Sequence, residues 1–296
     1  MMIDYLKTFI TVVEQRHFSR TAKILNLSQP NVSLHIRHLE KEFETKLLNR
    51  SPKQVQVTEE GEILYIRAKK ILSLVEEVKQ EINERKEIVK GTLKIGASFT
   101  IGEYILPSIL AKYAAEHPLV KVEVTVANTE EVIAKVRTHE IEIGLIEGES
   151  STADLTMEPF MEDEMIIIAP PDHSLSQLRI VKPEMLQDQV WIWRESGSGT
   201  RAYSDQLIAQ LDLNVKHFFI FSSSQGIKEA VSAGLGIAMI SKWTVRKELQ
   251  TGEIKKLNIN NRTFTRNFSM IQARNGSLTK AQQLFLQKVE QTKEEF

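Results

Sequence analysis

At 296 residues the chain exceeds the usual size of one domain, so two or three domains with a sizeable core are expected. Its 38 lysines and arginines nearly balance 39 aspartates and glutamates, a net charge of -1, so only local clustering of charge can point to a partner. The absence of cysteine excludes disulfides, thiolate nucleophiles and zinc sites built on sulfur, and fits a cytoplasmic location.

The first segment, MMIDYLKTFITVVEQRHF, has an acid at position 4 and apolar residues Leu6, Phe9, Ile10 and Val13 at helical spacing. It predicts a folded helix from about Asp4 to Gln15 rather than an export signal. A second helix is expected to begin at Ser19 as N-cap, with Ala22 and Leu25 inward, and to stop at Asn26. A third starts with Ser28 as N-cap and Pro30 in the first turn, where a missing N–H costs nothing. Val32, Ile36, Leu39 and Phe43 fall on one face, leaving Asn31, Leu34, Arg37, His38 and Lys41 outward. LLNRSPKQVQVT then reads as two short strands around Ser51-Pro52, with Arg50 and Lys53 at the tip.

From Thr58, an N-cap followed by Glu59 and Glu60 at the positive end of the dipole, a long helix is expected to reach about Val89. Leu64, Ala68, Ile71, Val75, Val78 and Ile82 alternate steps of four and three, which predicts a two-helix seam with a second copy of the chain. At Gly91 the pattern changes to strands (TLKIGAS, VKVEVTVAN, IEIGLIEG, EMIIIAP, QVWIWRES, HFFIFSS, GIAMIS) separated for the most part by helical segments, which argues for parallel α/β packing. The longest apolar runs fall well short of the roughly 18 residues that span a bilayer.

Between Arg16 and Lys53 there are eight basic side chains against three acidic ones. Nucleic-acid affinity depends on cations set against phosphates, so this local excess outweighs the whole-chain balance. With the tight turn, the capped third helix and the basic hairpin tip, it describes a winged helix-turn-helix whose third helix enters a major groove. His35 and His38 have metal-ligand spacing, but no third ligand is near in sequence, so no metal is assigned.

FSRTAKILNLSQPNVSLHIRHLEKEF followed by LLNRSPKQVQVTEEG resembles the N-terminal signature of LysR-type transcriptional regulators, and length, connecting helix and α/β remainder extend the resemblance over the whole chain. Thr21 stands where alanine is commoner, and FETKLLNR lacks the usual glycine and phenylalanine; neither change removes a cation or the cap. The resemblance implies a winged helix-turn-helix at residues 1–58 and a linker and dimerisation helix at 59–90. An effector domain follows at 91–296, similar to type 2 periplasmic binding proteins. Its subdomain I would cover about 91–163 plus 267–296, and subdomain II about 164–266. By the same resemblance Gln29, Pro30, Asn31, Ser33 and Arg37 lie near DNA, with Arg50 and Lys53 on phosphates; Ser28, Leu34 and His38 share that face. Leu34 is placed to meet a thymine methyl. The resemblance further implies homodimers pairing into a homotetramer, an inverted-repeat operator, contact with RNA polymerase, and output as activator or repressor. The wording of GASFTIGEYILP, NTEEV, LIEG and EPFMEDEM is nearest to the cysteine-metabolism subgroup of Gram-positive bacteria.

Ser98, Phe99 and Thr100, then Asn128 and Thr129, then Ser198 and Thr200 of SGSGTR, and Ser224 after HFFIFSS follow strand ends and open helices. There, hydroxyls and unpaired N–H groups favour an anion. A small carboxylate, sulfate-like anion or amino-acid derivative is therefore expected as effector, with Arg194 and Arg201 available to add charge. A protein cofactor is not implied. The segment SGSGT fails the nucleophile-elbow spacing and GLGIAM precedes a strand, so an enzyme is not the expected reading. A transporter's solute-binding protein is the remaining alternative, opposed by the N-terminal 90 residues.

Overall fold

In the computed structural model, helix α1 (Met2–Gln15) buries Leu6, Phe9, Ile10 and Val12 against α2 (Phe18–Ile24) and α3 (Gln29–Glu42). The structure describes residues 2–50, 55–84, 89–148, 154–274 and 278–292. The chain divides into two units, Met1–Ile88 with Thr138–Glu140, and Val89–Arg137 with Ile141–Phe296.

In the first unit, α2 begins two residues earlier than expected. Ser19 lies inside the helix and His17 is the N-cap, its Nδ1 accepting from the Arg20 N–H at 3.4 Å. Arg16, at φ 50°, turns the chain sharply enough to set this start. Asn26, at φ 53°, reverses the chain after α2, a conformation its short polar side chain tolerates. Ser28 then caps α3, its Oγ accepting from the Asn31 N–H at 3.3 Å, with Pro30 in the first turn. Such a cap is worth about 1 kcal/mol.

Val32, Ile36 and Leu39 are fully buried, each stabilising the fold by roughly 1.5–3 kcal/mol. Phe43, expected beside them, is 47% exposed. It is the C-cap of α3, and the chain departs through Glu44 at φ 49°, which carries its side chain past the edge of the core. Strands β1 (Leu48–Arg50) and β2 (Val55–Val57) pair antiparallel; the Ser51-Pro52 turn and Lys53 lie outside the described residues, as does the side chain of Arg50.

Helix α4 (Glu59–Glu84) is capped by Thr58, whose Oγ1 accepts from the Gly61 N–H at 3.0 Å. Gly61 is required there: a Cβ would lie 2.2 Å from the Leu47 carbonyl oxygen. Leu64 and Ala68, assigned from their spacing to an intermolecular seam, instead complete this unit's own core with half-buried Leu72. The exposed apolar stripe of α4 comprises Ile63, Ile66, Ile71, Leu74, Val78 and Ile82, with Val75 only half-exposed. The described part of the helix ends at Glu84, residues 85–88 lie outside the described residues, and Val89 is not helical.

The second unit opens with β3 (Gly91–Ser98), α5 (Phe99–Tyr104), α6 (Leu106–Glu116), β4 (Val120–Ala127), α7 (Thr129–Arg137) and β5 (Ile143–Glu147). β3 runs parallel to β4 on one side and β5 on the other. Then come β6 (Leu155–Ala169), β7 (Val190–Arg194), α8 (Gly199–Gln210), β8 (His217–Phe221), α9 (Ser224–Ser232), β9 (Ala238–Ser241), α10 (Arg246–Thr251), β10 (Lys255–Lys256), β11 (Phe264–Ala273) and α11 (Lys280–Gln291). The main sheet runs β10-β6-β11-β5-β3-β4, and β9 also pairs with β6. β7 and β8 form a parallel pair, bridged to the main sheet's β9 side through Trp191 and Ile237.

The expectation of a parallel arrangement holds only in part. β6 and β11 are long antiparallel partners; one end of β11 pairs with β5, while the far end of β6 pairs with β9 and β10. They carry the chain between two α/β subdomains, and a chain that crosses twice must run in both directions. Along β6, Met165, Ile167 and Ala169 enter one core while Ile166 and Ile168 enter another, which explains its unbroken apolar run. In the other subdomain Tyr113 donates to the Ala281 carbonyl at 2.9 Å, tying α6 to α11, and burial pushes its phenol up to about 12.

Candidate functional site

Two surfaces collect the residues singled out from sequence. On α3, Gln29, Pro30, Asn31, Leu34, Arg37, His38 and Lys41 are exposed, as is Ser28 ahead of it, and Leu34 is 47% accessible. Among the described residues, none of Arg20, Lys23, Arg37 and Lys41 pairs with a carboxylate, so their charge is available to phosphates. Ser33 does not share this face. It is buried and accepts from Gln29 Nε2 at 3.1 Å, because position 33 adjoins the inward row of Val32 and Ile36. His38 stacks on the Tyr5 ring of α1, centroids 5.2 Å apart, and His35 Nδ1 lies 2.8 Å from the Thr8 hydroxyl. These contacts tie both histidines to α1 and give them a packing role.

The second surface is a cleft between the subdomains of the second unit. Thr100 and Thr200 come from opposite sides of it and meet on one carboxylate: the Thr100 N–H donates to Glu147 Oε1 at 3.0 Å, and the Thr200 hydroxyl donates to Oε2 at 3.0 Å. Arg194, at the end of β7, is buried against the Phe99 ring at 4.6 Å and donates to the Ser224 hydroxyl at 3.2 Å. Asn128 Nδ2 reaches Glu195 Oε1 at 3.5 Å across the cleft. Gly199 abuts the other side: a Cβ there would fall 2.5 Å from the Glu147 carbonyl oxygen and 3.0 Å from Thr129 Oγ1. The Glu130 N–H, at the start of α7, donates to the Gly197 carbonyl at 3.1 Å.

Ser98, Phe99, Thr100, Asn128, Thr129, Ser198, Thr200 and Ser224 thus converge on the facing edges of the two subdomains. Among the described residues the Ser98, Thr100 and Thr129 hydroxyls are buried with no partner, a cost of about 1–3 kcal/mol each that a bound ligand or water relieves. A cavity of about 700 Å³ adjoins them between α7 and α8, lined in part by Thr129, Glu130, Ser198, Gly199, Arg266 and Asn267. Of the eight residues only Thr129 and Ser198 line it.

Beneath the cleft lies a charged network absent from the sequence expectations. Arg266 on β11 donates to Asp163 Oδ2 on β6 at 2.8 Å, its register partner, and lies 3.0 Å from Glu147 Oε2. It also donates to Thr200 Oγ1 at 3.3 Å, and the Ser241 hydroxyl donates to Asp163 at 2.5 Å. All three charged groups are buried. Burial opposes ionisation of Glu147, but Arg266 and the hydrogen bonds from Thr100 and Thr200 prevail and hold its carboxyl below the usual range. For Asp163 burial prevails over Arg266 and its carboxyl is raised. The signal for Glu147 was a charge ending the apolar run IEIGLIEG; Arg266 had none, since TFTRNFS reads as a polar segment.

A capped helix with outward cations, together with a two-lobed unit whose facing edges carry buried unpartnered hydroxyls, fits a ligand-responsive DNA-binding protein. Residues 3–62 match the family described as bacterial regulatory helix-turn-helix protein, lysR family, and residues 86–293 match the LysR substrate binding domain. The chain is 48% identical over 286 residues to the HTH-type transcriptional regulator CysL of Bacillus subtilis (strain 168), covering 97% of this chain and 96% of that protein. Among solved structures, the Synechocystis PCC6803 CcmR regulatory domain in complex with 2-PG superposes with TM-score 0.64 at 25% identity over 69% of this chain and 97% of that one. A full-length OxyR variant from Pseudomonas aeruginosa superposes with TM-score 0.75 at 22% identity over 98% and 94%. The chain belongs to the LysR family of transcriptional regulators, whose members matched here are regulators rather than enzymes. Among the described residues no helix is long and apolar enough to cross a membrane.

Proposed function

We propose that the chain reads an inverted-repeat operator through the outward face of α3, senses a small anionic metabolite in the interlobe cleft, and controls an operon of sulfur or cysteine metabolism. The observation that carries the DNA side is the exposed row of Asn31, Leu34, Arg37 and Lys41 on a helix capped by Ser28. Ser28, Gln29, Pro30 and His38 flank that row, and Arg50 and Lys53 complete the contact from the wing. Arg37→Ala is expected to weaken operator binding and to lower the slope of log K against log salt by about one. An unchanged slope, measured by anisotropy on a duplex from the region upstream of the gene, removes Arg37 from the phosphate contacts.

The cleft reading is supported by the three unpartnered hydroxyls and by buried Arg194. Thr100→Val with Thr129→Val keeps shape and removes two hydroxyls. It is expected to abolish effector response in a reporter strain while leaving operator affinity within about twofold, since no DNA-facing residue changes. A normal response places the effector elsewhere. The pathway assignment draws on the CysL similarity and on the LIEG and EPFMEDEM segments. A small ligand in this fold is also consistent with the CcmR domain solved with 2-PG.

The exposed stripe on α4 supports a homodimer joined along that helix. Apolar Leu119, Val124 and Val126 at the β4 edge, and Phe218, Phe219 and Ile220 on β8, support a further pairing of effector domains into a tetramer. As activator or repressor, such a cytoplasmic assembly would act through the access of RNA polymerase to the promoter. An effector shifts it only by binding one arrangement more tightly than the other.

A further inference from the structure

We infer that Glu195 is a built-in stand-in for the anionic effector, a carboxylate that holds Arg194 until the effector displaces it. The inference rests on the assignment of this cleft as the effector site. Arg194 offers one guanidinium edge to Glu195 in a bidentate pair, Nε to Oε2 at 2.8 Å and Nη2 to Oε1 at 2.9 Å. That is the geometry in which arginine receives a ligand carboxylate. The other edge is held by Ser224, and the Phe99 ring covers the guanidinium face, so the arginine is fixed in place.

The two partners differ in freedom. The Arg194 side chain is 1% accessible, whereas that of Glu195 is 23% accessible, so Glu195 alone has a path to water. It also accepts from Asn128 Nδ2 at 3.5 Å, bridging the two subdomains. A planar anion entering its place would meet the same two donors, Arg194 from one lobe and Asn128 from the other. Asn128 Nδ2 also donates to Glu131 Oε1 at 3.2 Å, so its hold on Glu195 is the weaker one and Arg194 is the main tie. Glu147 is not displaceable, because it is buried and paired with Arg266 at 3.0 Å.

Charge decides whether both anions can stay. Glu147 and Asp163 already outnumber Arg266 beneath the cleft, so an added anion beside Glu195 would meet a surplus of negative charge at low dielectric. Exchange of one carboxylate for another avoids that repulsion. Glu195 therefore sets a threshold: a monodentate or weakly basic anion fails to replace it, and a bidentate carboxylate or sulfate-like group succeeds. Arg194 stays paired until the effector accumulates.

The test uses the full-length chain and two probes, sodium acetate and sodium sulfate, titrated at ionic strength held constant with chloride. Binding is followed by tryptophan fluorescence in a Trp191→Phe, Trp243→Phe background, which leaves Trp193, one residue before Arg194, as the reporter. Glu195→Gln, which keeps size and removes the competing charge, is expected to tighten probe binding about tenfold, the loss of one charge-assisted pair. Glu195→Asp, one methylene shorter, should fall between. Arg194→Lys should abolish the gain in the Glu195→Gln background. Binding lost with Arg194→Lys but equal or weaker in Glu195→Gln overturns the stand-in role and leaves the cleft assignment intact. Binding indifferent to Arg194→Lys, or absent from both wild type and Glu195→Gln, overturns the cleft assignment itself. Thermal unfolding of each variant establishes that it is folded before titration.

Discussion

Replacing Arg266 with methionine is expected to destabilise the effector unit by about 3–5 kcal/mol, because it strips the counter-ion from two buried carboxylates while keeping the volume filled. Arg266 is buried on β11 between Glu147 and Asp163, so its loss leaves both carboxylates without their counter-ion. For a unit of this size the melting temperature should fall by roughly 10 °C. The pH dependence has a definite sign. In the wild type Glu147 titrates below its ordinary value, so its contribution is present above the unfolded carboxyl range and is lost as the pH falls through the lowered folded value. Without Arg266 both carboxyls move above their unfolded values. The deficit is then largest at neutral pH and shrinks as acid protonates them. Combining Glu147→Gln, Asp163→Asn and Arg266→Met leaves no unpaired charge and should recover much of the loss. Urea unfolding at pH 7 and pH 5 checks both. A single variant as stable as wild type, or a deficit that grows on acidification, contradicts the pairing.

The second large effect is on assembly. Leu74→Asp with Val78→Asp puts two charges into the exposed stripe of α4, where the wild-type side chains are 48% and 53% accessible. In a helix-to-helix seam these charges would be desolvated without partners, at a cost of about 2 kcal/mol or more each. Loss of the dimer leaves one recognition helix per particle, and operator affinity should fall by about 100-fold through lost effective concentration alone. Light scattering and anisotropy read the two consequences together. A dimer of wild-type mass sinks the α4 seam. A monomer with wild-type affinity separates dimerisation from DNA reading. Leu64 and Ala68 are unsuitable targets, since they belong to the DNA-binding unit's own core.

The third helix was readable in detail because its signals are local: Ser28 ahead of Pro30, Asn26 at the turn, and Val32, Ile36 and Leu39 at helical spacing. Local signals failed where geometry over several residues decides. The turn at Arg16 makes His17 rather than Ser19 the cap of α2, and the end of α3 leaves Phe43 outside. Heptad spacing on α4 merged two adjacent faces, because periodicity shows which residues align but not which neighbour each face meets. Strand β11 escaped notice because Arg266 and Asn267 interrupt its apolar pattern, and only its pairing with β6 explains a buried arginine there. The cleft hydroxyls were found from strand-to-helix turns; Glu147 and Glu195, which occupy the donors beside them, become legible only when both lobes are seen together.

Footprinting of the full-length chain on the DNA upstream of its gene, at a salt concentration where a scrambled duplex is unbound, tests the central claim most directly. The predicted result is protection of two half-sites related by a dyad, with centres about one helical turn or a multiple of it apart, and a pattern that changes when sulfate or acetate occupies the cleft of Glu195→Gln. Protection no better than on the scrambled duplex, or a pattern indifferent to the anion, contradicts the account.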